Sequence, residues 1–181
     1  MDITLILLLI AGMVGSNDVT HYHIRRFRLY SRPEAAKEEI THLFRGLVFA
    51  VGLAILLYGR PLGAWYWVVF GLFAFDAINN VLDVMFETAS RAPEGVPRGE
   101  LVIHYFGTLL MGATWTAFTL AGWEGRLEAT ALAPHVTVLP DWVFWLGYFS
   151  LATSVVLLLV EGGLFARAIL ARRAAHEEVH V

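Results

Sequence analysis

The chain has no cysteine, which excludes disulfides, thiolate metal sites, iron–sulfur clusters and thiol nucleophiles together and leaves the redox compartment open. Charge is scarce as well: 16% of the 181 residues are Asp, Glu, Lys or Arg, against roughly 25% in a soluble domain. There is no internal repeat, no low-complexity tract and no Pro/Gly/Ser-rich stretch long enough to link domains, so residues 1–181 read as a single transmembrane domain. What fills the composition is apolar. Hydrophobic residues make up 57% of the chain and the mean hydropathy is +0.62, beyond the roughly 45–50% of a soluble protein. Water is therefore not the main solvent, and the net charge of −3 matters less than where the charges lie.

Five apolar segments stand out, at about 3–30, 34–58, 64–90, 99–123 and 141–172. Each can cross a bilayer at about 20 residues per span, although the first two reach that length only when their polar ends are counted. The first carries Asp2 in place of a leading positive charge and has no A-x-A site after it, so it reads as a span and not as a cleaved signal. The expected fold is an all-α integral membrane protein, a bundle of five transmembrane helices.

Orientation follows from the basic residues. Of the thirteen, Arg25, Arg26, Arg28, Arg32, Lys37, Arg45, Arg91, Arg98, Arg167, Arg172 and Arg173 fall in or beside the 1–2 loop, the 3–4 loop or the C-terminal tail, and only Arg60 and Arg126 lie on the other side. The positive-inside rule predicts a multi-pass protein with its N-terminus outside and its C-terminus cytoplasmic. Trp65, Trp67, Trp123 and Trp142 then occupy the outer interface, where indoles concentrate.

Polar residues inside the spans gather in the cytoplasmic half. Segment one offers Asp18 and His21, segment two Glu38, Glu39 and His42, segment three Asp76, Asn80, Asp83 and Glu87, and segment four Glu100 and His104. Their spacings of three and four residues put each group on one helix face. The His42 face continues through Gly46, Ala50 and Ala54, small residues that allow close helix approach, so His42 is expected to point inward. His23, two residues from His21, falls on the opposite face of an α-helix and is left outside the set.

An acid at mid-helix costs about 2.5–3.5 kcal/mol on insertion scales, so several of them need a neutralising partner. A bound divalent metal supplies one, with His21, Glu39, His42, Asp83, Glu87, Glu100 and His104 as the candidate ligands and no catalytic residue singled out. Carboxylates with some imidazole suit iron, with manganese or zinc as alternatives. At motif level the pattern resembles the di-iron site of ferritin-like four-helix bundles, in which Glu-x-x-His recurs. Glu39-Ile40-Thr41-His42 matches it, and Glu100 to His104 is one residue longer. That resemblance implies a ferritin-like polar core formed by the first four helices and a carboxylate-bridged di-iron centre.

Such a centre, close to the inner leaflet, would serve a metal-dependent oxidoreductase acting on a lipid or quinone-like molecule by hydroxylation, desaturation or quinol oxidation, with an unassigned electron donor. Phe70, Phe73, Phe75, Met111 and Trp115 could floor its substrate pocket, although packing is the commoner use of such residues. Competing readings are a proton- or divalent-cation-coupled transporter through Asp76, Asn79, Asn80 and Asp83, a non-catalytic accessory subunit, a structural polar network centred on Arg45, and a haem held by His21, His42 or His104, which leaves the carboxylates without a purpose. Glu38, His23, His176, Glu177, Glu178 and His180 are expected in solvated contacts, and Glu161 either supports a metal ligand from behind or, as the commoner case, pairs with Arg167. Self-association or membership of a larger complex stays open. Nucleic acid is excluded as a partner because topology accounts for the basic residues.

Overall fold

The computed structural model describes residues 1–91 and 95–179, with side chains to Ala175, so the expectations for His176, Glu177, Glu178 and His180 lie outside the described side chains. Five helices are long and apolar enough to cross a membrane, as in a multi-pass membrane protein. Helix α1 (Asp2–Asp18) runs without interruption into a π-helical segment (Val19–Phe27). Helices α2 (Ala36–Tyr58), α3 (Ala64–Ser90), α4 (Arg98–Gly122) and α5 (Asp141–Val179) follow. The π-segment ends at Arg28, whose left-handed backbone (φ 49°) starts the reversal toward α2.

Far from the π-segment, two short strands close the bundle: β1 (Arg60–Leu62) pairs antiparallel with β2 (Ala131–Ala133), tying the α2–α3 connection to the α4–α5 connection. Next to this clasp lies an apolar core of Leu5, Leu8, Leu9, Leu53, Leu56, Leu57, Tyr66, Val69, Phe73, Phe118 and Val143. Phe70, Met111 and Trp115 pack on its edge, while Phe75 faces outward. Helix propensity alone does not stabilise such elements; interdigitated packing between helices does, because lipid tails are as apolar as leucine.

The opposite half of the bundle is polar inside. Asp18, Glu38, Glu39, Asp76, Asp83, Glu87, Glu100 and Glu161 are all buried there, contributed by all five helices. Glu161 of α5 brings the fifth helix into a polar core expected from the first four alone.

Candidate metal centre

The π-helical turn decides which histidine enters this core. In an α-helix residues three or four apart share a face, whereas the i→i+5 bonding of a π-helix aligns residues about five apart. Asp18 and His23 are five apart; both are buried, and His21 is exposed. The expectation for these two histidines is thus reversed: His21 stands outside the cluster and His23 lies within it. The neighbouring Tyr22 packs so closely over Gly99 that a Cβ there would lie 2.5 Å from the tyrosine hydroxyl, which seats the π-segment against the start of α4.

Helix α2 delivers its first buried turns to α3. The Thr41 hydroxyl donates to Asp83 Oδ1 at 2.6 Å, and Asn79 donates from Nδ2 to the Thr41 carbonyl at 2.8 Å. Arg45 holds Asp83 Oδ2 at 3.3 Å and Asp76 Oδ1 at 3.6 Å. His42 Nε2 lies 3.1 Å from Asp83 Oδ1, a charge contact that is not aligned as a hydrogen bond. Asn80 instead joins α3 to α4, donating to the Thr108 hydroxyl at 3.2 Å.

Arg91, immediately after α3, carries the larger network. Its guanidinium forks onto Glu100 at 3.1 and 2.8 Å, reaches Glu38 at 2.7 Å and lies over the Phe27 ring at 4.5 Å. Bidentate, charge-assisted bonds of this kind are the strong ones. Burial alone would lower its pKa, but the bonds to Glu100 and Glu38 outweigh that and raise it above the ordinary arginine value. Glu38, which also accepts from the Ser90 hydroxyl, is therefore fully buried and paired instead of solvated. The arginine that gathers most carboxylates is Arg91 and not Arg45.

His104 is clamped between two helices, with Nε2 2.9 Å from Asp18 Oδ2 and Nδ1 3.1 Å from Glu87 Oε2. The rings of His23 and His42 approach to 3.9 Å between centroids. Around them, several buried atoms have no hydrogen-bond partner: Asp18 Oδ1, both nitrogens of His23, both oxygens of Glu39, and Glu161 Oε1. Glu161 makes no ion pair with Arg167, which is exposed; its carboxylate lies 3.8 Å from His23 Nδ1.

Among the described residues, three sets of donor atoms come within 4.8 Å of one another: His23, His42 and His104; Asp18, His23, Glu100 and His104; and His23, Glu39 and Glu161. Ligands at about 2.1 Å from one ion lie about 3.0–4.2 Å apart, so each set comes within a few tenths of an ångström of the dimensions of a coordination sphere. Of the residues expected as ligands, Glu39, His42, Glu100 and His104 are in these sets. Asp83 and Glu87 stand one contact further out, against His42 and His104, where a carboxylate orients a ligating imidazole. Asp18, His23 and Glu161 are added.

Charge points the same way. Eight buried carboxylates face Arg45, Arg91 and the imidazoles of His23, His42 and His104, so even with all three rings protonated an excess of negative charge remains. Extra protons or bound cations must offset it.

Above the cluster is a cavity of about 130 Å³ between α1, α2, α4 and α5. Ala11, Val14, Ile103, Met111 and Leu157 give it apolar walls, and Asp18, His42, His104 and Glu161 give it a polar floor, with Arg45 and Asp76 to one side. Gly15 leaves part of this space open, since a Cβ there would meet nothing within 4 Å. No protein-family model matches the chain, and neither the curated proteins nor the solved structures provide a match.

Proposed function

We propose that this protein is a membrane-embedded, metal-dependent oxidoreductase whose carboxylate and imidazole centre oxidises a lipid-soluble substrate with dioxygen. The observation that carries the reading is the convergence of unpartnered buried donors on His23, among residues of which Asp18, His42, His104 and Glu161 also line an apolar cavity. A donor set of oxygen and imidazole nitrogen, with no thiolate, suits iron ahead of zinc. The cavity compares in size with a roughly 150 Å³ protein cavity that binds benzene, so a hydrocarbon segment or a small ring fits its dimensions. Within this reading His104 and Asp18 hold the ion, Glu87 and Asp83 fix the imidazoles, and the cavity excludes bulk water from the reacting atoms. Dioxygen is the oxidant. A quinol would supply both electrons and protons, whereas hydroxylation or desaturation would need a separate electron donor.

Elemental analysis of the purified protein tests the centre: we expect stoichiometric iron in the parent chain, its loss in His23→Ala and a lower content in Glu39→Ala. Oxygen uptake with a lipid-soluble quinol should then require the iron and fall at least tenfold in Ala11→Leu, which enlarges a buried cavity-lining side chain that is not a ligand. Metal-free parent protein under iron-replete conditions would refute the proposal.

We also place the polar half toward the cytoplasm, on the distribution of arginines. The absence of cysteine makes this simple to check, because cysteines introduced at Ser31 and Val138 can be labelled one at a time in intact cells. Only the second should react.

A second reading is supported by Asp18, Asp76 and Glu161, three acids on one cavity wall or floor, which resemble stages of a cation route. Flux through liposomes without tightly held metal would favour transport over catalysis.

A further inference from the structure

His23 belongs to all three donor sets, and its ring is 1% exposed with neither nitrogen satisfied. The two nitrogens face different carboxylates. Nε2 is 3.9 Å from Asp18 Oδ2 and 4.0 Å from Glu100 Oε1, while Nδ1 is 3.8 Å from Glu161 Oε1. These separations are too long for hydrogen bonds. They match the distance between two ligands of a common ion, and they occur on both edges of the same ring.

Resting on the metal-binding reading above, we propose that His23 bridges two divalent ions, one at each ring nitrogen. The ion at Nε2 takes Asp18, His104 and Glu100 as its other protein ligands; the ion at Nδ1 takes Glu39 and Glu161. The Asp18 and His104 donors are 2.9 Å apart in a hydrogen bond, which the ion would replace by binding both atoms. Both oxygens of Glu39 are buried and unpartnered, ready for the second ion. Glu100 keeps a role despite its fork with Arg91, since each carboxylate oxygen has a lone pair beyond the one that accepts the guanidinium N–H.

The chemistry balances simply. A neutral imidazole carries one N–H, so a metal at each nitrogen requires that proton to leave, and the second ion displaces it to solvent as the ring becomes an imidazolate; the proton shared by His104 Nε2 and Asp18 likewise leaves to solvent when the Nε2 ion binds them. The ions then lie about 6 Å apart, from the width of the ring plus two bonds of about 2.0 Å. A carboxylate-bridged pair would lie about 3.5–4 Å apart. His23 is thereby the conducting and spacing element of the centre, and the cavity floor next to Asp18 and His104 belongs to the Nε2 ion.

The test uses the full-length protein in detergent, stripped with chelator and reloaded with cobalt(II). Equilibrium dialysis should give two ions per parent chain, and anomalous scattering from crystals should place them about 6 Å apart on either side of the His23 ring. The isosteric Glu161→Gln should retain one ion, at Nε2, and Asp18→Asn should retain the other, at Nδ1. Saturation of the parent at one ion, or a pair at 3.5–4 Å, overturns the bridge while leaving a metal centre intact. No cobalt binding at any concentration, with iron also absent from the native protein, overturns the bridge and the proposed function together.

Discussion

Around Leu8, Leu53 and Phe118 the helices meet through side chains that are fully buried in one another, whereas around His23, Glu39 and Glu161 they meet through atoms that no protein group satisfies. The same five helices build both halves, so the contrast is one of chemistry and not of architecture. The apolar half, clasped by β1 and β2, gains from close packing alone. The polar half carries excess negative charge and, without a cation, is held by two guanidinium groups, the His104 clamp and the Thr41 and Asn79 hydrogen bonds. Such a division of labour is expected when one end of a bundle fixes the helices and the other uses that rigidity to hold groups in an arrangement they would not choose for themselves.

Breaking the polar half should have the largest effect. Arg91→Met removes the cation from Glu38 and Glu100 and leaves both carboxylates buried, which costs about 3–5 kcal/mol by the behaviour of broken buried ion pairs. Unfolding in mild detergent, followed by circular dichroism, should show the loss whether or not metal is present. Replacing the apolar packing comes next: Leu53→Ala opens a cavity and should cost about 2–4 kcal/mol. Its metal content should match the parent's. If Leu53→Ala emptied the centre, the two halves would not be independent and the comparison would fail.

The five spans were readable because hydropathy runs of about 20 residues are a strong signal, and the helices lie within a few residues of those runs except at the end of α5. Asp76, Asp83 and Glu87 were readable as one inward face because α3 is a regular helix whose period carries from sequence to structure, but Asn79 takes the buried place expected of Asn80. His23 was not. Its burial depends on a π-helical phase that nothing in Val19–Phe27 announces, since the segment has no proline and no glycine to betray the change of period. Arg91 was hidden for another reason. It looks like one more positive-inside residue, and only the return of α2 and α4 to the same level shows that it is buried among three carboxylates. The β1–β2 clasp, three residues on each side, is too short to carry a strand pattern of its own.

Glu39 sharpens the comparison because its effect should change sign. In metal-free protein at alkaline pH, where the acid is ionised, its carboxylate is buried without a partner, so Glu39→Gln removes an unfavourable charge and should stabilise the fold by about 1–2 kcal/mol. In metal-loaded protein the same change removes a ligand. A ligand at a hundredfold excess over its dissociation constant contributes about 2.7 kcal/mol, and Glu39→Gln should forfeit much of that. Thermal unfolding of both proteins, with and without iron(II), gives all four values needed. A change of the same sign in both conditions would mean that Glu39 does not meet the ion.

The smallest effect belongs to His21, and its smallness is informative. An α-helical continuation of α1 would turn His21 inward beside Asp18 and leave His23 on the opposite face; the π-turn does the reverse. His21→Ala should therefore stay within about 0.5 kcal/mol of the parent, as exposed substitutions do, with metal content unchanged. His23→Ala, two residues away, should lose the metal. Because the two substitutions are chemically identical and differ only in helical phase, their ratio measures the π-turn itself. Equal loss of metal from both would show that the segment does not hold this phase in the membrane.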